Sequence, residues 1–282
     1  MPELPEVEVL VRHLSPLLKG KVVRSLQVRR TKTLLPTTVT QLERAVMGAR
    51  FLGVGRRGKY LVFELQQRSR RIRLLGHLGM TGRMFLARRD DPLPKHAAAV
   101  LNLGRQMLIF EDPRYFGRLT LDMSPLTKLG PEPLDSGFTT NYFAARLKRS
   151  SQAIKVKLLD QSLVAGIGNI YASEALFRAG ISPQVAAWRL TSVQIQRLRR
   201  AIRRVLREAI RCGSTVPLNF GRRAKHDALF YFGRAPNTAD YYAERLLVYD
   251  RQGQTCSVCG TRIRRLTQAS CSTFYCPRCQ RG

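Results

Sequence analysis

Four cysteines near the end of the chain constrain it more than any other feature. Cys256 and Cys259, then Cys276 and Cys279, form two CxxC pairs separated by sixteen residues. Each pair sets two sulfurs on one side of a tight turn. Two such turns complete a tetrahedron, and the spacing matches a four-thiolate zinc site. A module this small builds little apolar core, so the metal supplies its folding energy. With all four positions filled by thiolates, no place is left for a substrate, and the single Zn²⁺ expected is structural. Between the pairs lie Arg262, Arg264 and Arg265, then Thr273-Phe274-Tyr275. A basic β-hairpin finger suited to a phosphate backbone or a minor groove is expected. Cys212 and Cys271 stand outside the pattern. This cysteine usage fits a reducing compartment, with metal rather than disulfides.

Charge sets the second constraint. Lysine and arginine number 49 against 19 acids, a formal charge of +30. Such an excess points to a polyanion partner, because phosphate contacts release counterions. Charge alone does not separate DNA from RNA or from a membrane surface. No apolar run reaches the roughly 18 residues that a spanning helix needs, so no membrane role is expected. The first residues, Met1-Pro2-Glu3-Leu4-Pro5-Glu6, carry acids where a secretory signal has bases, which leads to the expectation of a cytosolic protein.

The chain reads as α+β and multidomain. Residues 1–130 suggest an N-terminal β-sandwich with flanking helices. Val7, Val11, Leu14 and Leu18 share one helical face. Strand-like runs follow at Lys21–Val28, Tyr60–Leu65, Arg71–Leu75, Ala99–Leu103, Met107–Phe110 and Arg118–Leu121. Residues 131–140 open, behind Leu129-Gly130, on Pro131-Glu132-Pro133-Leu134, a stretch that reads as a hinge. A helical domain is expected over 141–245, with helices at Asn141–Lys148, Ile154–Gln161, Asn169–Ala179 and Thr191–Arg211. A loop rich in Gly, Pro, Arg and Tyr occupies about 213–245, and 246–282 form the zinc module.

The amino terminus adds chemistry. Removal of Met1 would expose the secondary amine of Pro2, which can attack a sugar C1′ and form an iminium. Glu3, next to it, can move protons. Proline early with acids in the first turn also describes an ordinary helix start.

The string Pro2-Glu3-Leu4-Pro5-Glu6-Val7-Glu8 resembles the opening of the formamidopyrimidine-DNA glycosylase family, and the resemblance recurs in order along the chain. Arg56-Arg57-Gly58-Lys59-Tyr60 is similar to the family's catalytic lysine segment. His77-Leu78-Gly79-Met80-Thr81-Gly82 and Asp112-Pro113-Arg114-Tyr115-Phe116-Gly117 are similar to its DNA-facing loops. Leu159-Asp160-Gln161 with Gly166-Ile167-Gly168-Asn169-Ile170-Tyr171-Ala172 resembles its helix–two-turns–helix. Thr273-Phe274-Tyr275-Cys276-Pro277-Arg278-Cys279 resembles its closing zinc finger.

The resemblance implies a bifunctional glycosylase and abasic-site lyase that excises oxidised purines (8-oxoguanine, formamidopyrimidines) from damaged duplex DNA in base excision repair. Pro2 would attack C1′, Glu3 would protonate the ring oxygen, and Lys59 would contact phosphate and assist β-elimination. The damaged base must leave the stack. Met80, Arg114 and Phe116 would fill the gap, since apolar wedges tolerate unstacked bases and arginine can bond the orphaned partner. Asn169, opening a helix behind Gly166-Ile167-Gly168, would aim a helix N-terminus at phosphate. His77, His96 and Tyr249 match DNA-contacting positions. A cytoplasmic monomer acting on nucleoid DNA is expected, with the DNA cleft between the β-sandwich and helical domains.

Three departures stand out. Cys271 occupies the position of a family arginine that grips phosphate and serves δ-elimination; a thiol has no such fork of donors. Arg262, Arg264 or Arg265 could compensate, and Cys271 could itself join the zinc set, although the spacing favours the outer four. Ala97-Ala98-Ala99 replace polar residues. Residues 216–243 exceed the usual base-capping loop and carry Arg222, Arg223, Lys225, Phe230, Tyr231 and Phe232. Two alternatives remain beside the main reading. One is a non-catalytic or weakened damaged-DNA-binding relative, suggested by Cys271. The other is an oxidised-pyrimidine glycosylase of the endonuclease VIII type, disfavoured by Leu4 and the Arg114-Tyr115-Phe116 wedge.

Overall fold

A computed structural model describes residues 2–212 and 246–281. The loop expected over 213–245, with its basic and aromatic residues, and Met1 lie outside the described residues. Within the described residues two compact units separate. One holds Pro2 and Glu6–Thr127; the other holds Glu3–Pro5 and residues 128–212 and 246–281.

The first unit is a pair of antiparallel four-stranded sheets over one apolar core. Helix α1 (Leu4–Leu18) begins the chain, and from Val7 onward its buried stripe, including Leu10, Leu14 and Leu18, joins that core. One sheet is built of β1 (Ser25–Val28), β5 (Arg83–Arg88), β6 (Ala97–Asn102) and β7 (Gln106–Glu111), in the order β1-β6-β7-β5. The other is built of β2 (Arg50–Arg57), β3 (Tyr60–Gln67), β4 (Arg70–His77) and β8 (Arg118–Thr120), in the order β2-β3-β4-β8. In β3, Leu61, Phe63 and Leu65 are buried and alternate with more exposed residues, the period-2 pattern of a half-buried strand. The three alanines at 97–99 are fully buried in β6, where small side chains fit the core and polar ones would need partners.

Two strands and one helix escape the hydrophobic pattern. Gly53 and Gly55 interrupt β2, which also carries a bulge at Phe51 and Gly53. In β5, Met84 and Phe85 are consecutive and both buried, so no alternation is visible. Helix α2 (Val39–Val46) is announced instead by its cap: Thr38 and Gln41 form a reciprocal capping box.

The second unit is helical. A short α3 (Ser124–Thr127) precedes it, and it contains α4 (Thr140–Lys148), α5 (Ile154–Leu159), α6 (Asn169–Ala179) and α7 (Ser192–Cys212). Along α7, Ile195, Leu198, Ile202, Val205, Leu206 and Ile210 are buried. Two arginines of α7 bind carbonyls, Arg199 that of Phe138 (2.5 Å) and Arg203 that of Leu134 (2.7 Å). The stretch read as a hinge is stitched to this unit, with Ala165 N–H donating to Pro131 O at 3.0 Å. The chain ends in a hairpin of β9 (Arg264–Gln268) and β10 (Cys271–Tyr275). Its small core combines Val248, Ile263 and Phe274 with Cys256, Cys276 and Phe177 of α6. No helix among the described residues is long and apolar enough to cross a membrane.

Candidate functional site

Helix α6 lacks a local cap. Its first flanking residue is Gly168, which has no side chain to accept the orphan N–H groups of the first turn. Glu3, remote in sequence, supplies the acceptor. Its carboxylate takes hydrogen bonds from Gly168 N–H (2.6 Å), Ile170 N–H (2.8 Å) and Tyr171 N–H (3.4 Å). The donors and the positive end of the helix dipole both suit a carboxylate at this point. Glu3 is 1% exposed, and Leu4 is anchored alongside by its N–H to Gly166 O (3.0 Å) and by burial in the helical core. Gly168 has to be glycine: a Cβ there would lie 2.4 Å from Glu3 Cδ. Gln161 braces the preceding turn, accepting from Gly166 N–H and donating to Ile167 O.

Around this helix terminus lie a buried lysine and two half-buried polar side chains. Asn169 accepts from Lys155 Nζ at 2.5 Å and donates to Ser272 O of β10 at 2.9 Å. Lys155 is fully buried, and desolvation lowers its pKa to about 8, opposed by the nearby Glu3 carboxylate and Cys271. Tyr249 rests edge-on against Phe274, 5.2 Å between centroids. The backbone of Tyr249 is fixed by Glu174, a fully buried carboxylate that also accepts from Leu247 and Val248 N–H and pairs with Arg178 at 2.7 Å. Lys155 and Glu174 carry no periodic or motif signal of their own. Only the i, i+4 spacing of Glu174 and Arg178 hints at the second.

The first unit carries a separate cluster. Asp112, fully buried, ties two loops together: it accepts from Thr81 Oγ1 (2.7 Å), Arg114 N–H (3.2 Å) and Gly117 N–H (2.8 Å). These loops present Met80 and Phe116, 45% and 51% exposed, so neither side chain is spent on packing the core. Arg114 lies over the Phe116 ring at 4.9 Å. His96 approaches Tyr115, 3.5 Å from its hydroxyl. Lys59 sits at the two-residue turn joining β2 to β3, where Gly58 takes φ +57°. At 8% exposure it is no ordinary surface lysine.

His77 ends β4 and stacks on Tyr60 (4.7 Å). Burial, then the charges of Lys59 and Arg118, push its pKa down to about 4. The ring is therefore neutral near pH 7, with Nδ1 accepting from Gly79 N–H at 3.1 Å and Nε2 carrying the proton. Because the folded pKa is depressed, protonation favours unfolding. The stability held by neutral His77 is complete above about pH 6.5 and is lost as pH falls through about 4. The imidazole resonances of His77 are expected to stay constant between pH 6 and 8 in an NMR titration; a midpoint near 6.5 would contradict this environment.

The finger passes a simple geometric test for zinc. A tetrahedral ion with metal–sulfur bonds of about 2.3 Å sets its sulfurs about 3.8 Å apart. The Sγ atoms of Cys256 and Cys279 are 3.9 Å apart, those of Cys259 and Cys276 are 3.4 Å apart, and all four lie within 4.8 Å. They hold one structural zinc. Cys271 is not in this group. In the hairpin register Cys271 pairs with Gln268, whereas Arg264 and Arg265 pair with Tyr275 and Phe274 at the far end.

A two-sheet unit, a helical unit whose α6 terminus binds a carboxylate, and a four-cysteine finger define a zinc-bearing, nucleic-acid-binding class of protein. Comparison narrows it. The chain matches the formamidopyrimidine-DNA glycosylase N-terminal domain over residues 1–119, the helix–two-turns–helix domain of the same proteins over 129–218, and a zinc finger found in FPG and IleRS over 253–282. It is 40% identical to the formamidopyrimidine-DNA glycosylase of Desulfitobacterium hafniense, covering 99% of this chain and 100% of that protein. It is 36% identical to that of Carboxydothermus hydrogenoformans, with full coverage of both. A crystal structure of a Lactococcus lactis FPG mutant with Fapy-dG-containing DNA superposes with a TM-score of 0.87 at 34% identity, covering 100% of each chain. The chain belongs to the formamidopyrimidine-DNA glycosylase family.

Proposed function

We propose that this chain excises oxidised purines from duplex DNA and then cleaves the resulting abasic site, with the Pro2 amine, freed by removal of Met1, as nucleophile. The observation that carries the reading is the Glu3 carboxylate, immobilised by α6 in the residue next to that amine. Pro2 nitrogen bonds to C1′, and the proton it sheds passes to Glu3. Glu3 delivers that proton to the sugar ring oxygen, the ring opens, and the base departs with the C1′–N bond electrons and a proton from solvent. The product is a Pro2 iminium at C1′. Loss of a 2′ proton then expels the 3′ phosphate, the β-elimination, to which Lys59 contributes by contacting phosphate.

Met80, Arg114 and Phe116 occupy the space left by the flipped nucleotide; their exposure on loops braced by Asp112 supports this. His77 and His96 in the first unit, and Asn169 and Tyr249 in the second, position the backbone. The side chain of Asn169 is engaged by Lys155 and Ser272, so it acts by holding the α6 terminus in place.

Incubation with a duplex bearing one 8-oxoguanine, followed by borohydride, tests the mechanism. A covalent adduct should form, map to the peptide beginning at Pro2, and vanish on Pro2→Gly. Absence of an adduct with both this duplex and an abasic duplex would leave a damage-binding protein without the chemistry.

At the position of Cys271 the donor fork for δ-elimination is missing, so β-elimination products should dominate. Cys271→Arg is expected to raise the share of δ-elimination product on a sequencing gel and to steepen the salt dependence of binding by about one unit, one added phosphate contact. Abundant δ product from the unaltered chain would refute this.

A further inference from the structure

The sandwich carries a basic cleft at the end opposite the Asp112-braced loops. Strands β5 and β7 run antiparallel, with Arg83 opposite Glu111 at one end and Arg88 opposite Gln106 at the other. The first end leads into the loops bearing Met80, Arg114 and Phe116. The second opens into a cavity of about 1030 Å³ lined by Lys21, Arg24, Arg88, Arg89 and Arg105, with Asp90 the one acid among the lining side chains. Six residues of strand separate the two ends by roughly 17 Å. That exceeds the screening length of about 10 Å at 0.1 M salt, so the two ends act as independent electrostatic sites.

The cleft is ordered by its backbone. Arg89 N–H donates to Arg105 O (3.1 Å), and Asp91 closes the turn by accepting from Arg88 N–H (3.0 Å). Gly104, at φ +101°, leaves room for the Arg24 guanidinium, which a Cβ would approach to 3.2 Å. Arg24 reaches the rim from the residue before β1. Near the loop end Arg83 is neutralised by Glu111 at 2.7 Å. At this end none of the five cations forms an ion pair among the described residues. Five cations against the single acid Asp90 leave a net positive cleft whose charges repel one another, and an extended polyanion relieves that repulsion.

We propose that this cleft binds the phosphate backbone of a second segment of duplex DNA while a first segment occupies the lesion-reading loops. Occupation of the loops by the first segment rests on the function proposed above; phosphate binding in the cleft does not. Arginine forks and the lack of aromatic side chains in the lining suit a duplex backbone, since single strands are held by base stacking on aromatic residues.

The full chain is first saturated with an unlabelled duplex carrying a tetrahydrofuran abasic analogue. A short fluorescent undamaged duplex is then added, and its anisotropy is followed across a salt series. The second duplex is expected to bind. Arg88→Ala/Arg89→Ala/Arg105→Ala should weaken that event at least tenfold and lower its salt slope by about 2.7, three contacts at about 0.9 each. All three residues are exposed, so folding should be unaffected. Arg70→Ala/Arg71→Ala/Arg73→Ala removes the same charge from β4 and should leave the event intact. Saturation at one duplex, equal loss in both variants, or tighter binding of a single-stranded RNA of the same length would each overturn the proposal. Binding of the abasic duplex is measured separately, so failure of the lesion site is distinguishable from failure of the cleft.

Discussion

Glu3→Gln is expected to slow base excision by about 10²–10⁴-fold, the usual contribution of a positioned proton-transfer group. Cleavage of a preformed abasic site should suffer less, because no base has to be expelled. Folding should survive. The glutamine oxygen can still accept from Gly168 N–H, but the amide nitrogen in place of the other oxygen cannot accept from Ile170 N–H, so one bond is lost together with the charge, about 1–3 kcal/mol for a buried donor left unsatisfied. Single-turnover excision beside thermal unfolding separates the two effects. Unchanged excision with lowered stability would reduce Glu3 to a long-range helix cap. Gly168→Ala approaches the same point differently, since a new Cβ 2.4 Å from Glu3 Cδ displaces the carboxylate without altering its chemistry. Overpacking of this kind costs about 1–3 kcal/mol, and excision should fall with Pro2 and Glu3 both intact.

Zinc removal should have the largest effect on structure. Zinc contributes about 10–16 kcal/mol to the folding of isolated finger peptides, and the core here outside the cysteines is confined to a few residues such as Val248, Ile263 and Phe274. Chelation, or Cys276→Ser, should release one equivalent of metal and unfold the hairpin. Helical circular dichroism should persist, because the packing of α4 to α7 involves none of the four ligands. DNA affinity should fall at least about tenfold, the loss of one good phosphate or hydrogen-bond contact or more. Acid should mimic the chelator as the thiolates protonate. Full metal release without loss of DNA binding would show that the finger does not contribute to the interface.

How legible each part was follows from the range of the interactions involved. The zinc ligands are local in sequence, so spacing alone located them. Helices α6 and α7 were equally plain, because α7 repeats its apolar face over 21 residues and Gly180 in the left-handed region stops α6. Strands β2 and β5 were hidden by glycines and by paired buried residues. Pro2 and Glu3 could be suspected from amine and carboxylate chemistry, but their pairing with a function came from resemblance. Asp112 stood inside a recognisable motif, but the buried roles of Lys155 and Glu174 were not legible beyond the i, i+4 spacing of Glu174 with Arg178. Each is a polar residue that folding buries against partners selected by tertiary structure: Glu174 reaches backbone N–H groups 73 to 75 residues away. No window of sequence contains both halves of such a contact.

Glu174 also has a bearing on how such a chain can diversify. By gripping Leu247, Val248 and Tyr249 in one carboxylate, it fixes the backbone of the three residues that lead into the finger, so the place of Tyr249 and of the start of the finger answers to a single side chain of α6 rather than to chain length.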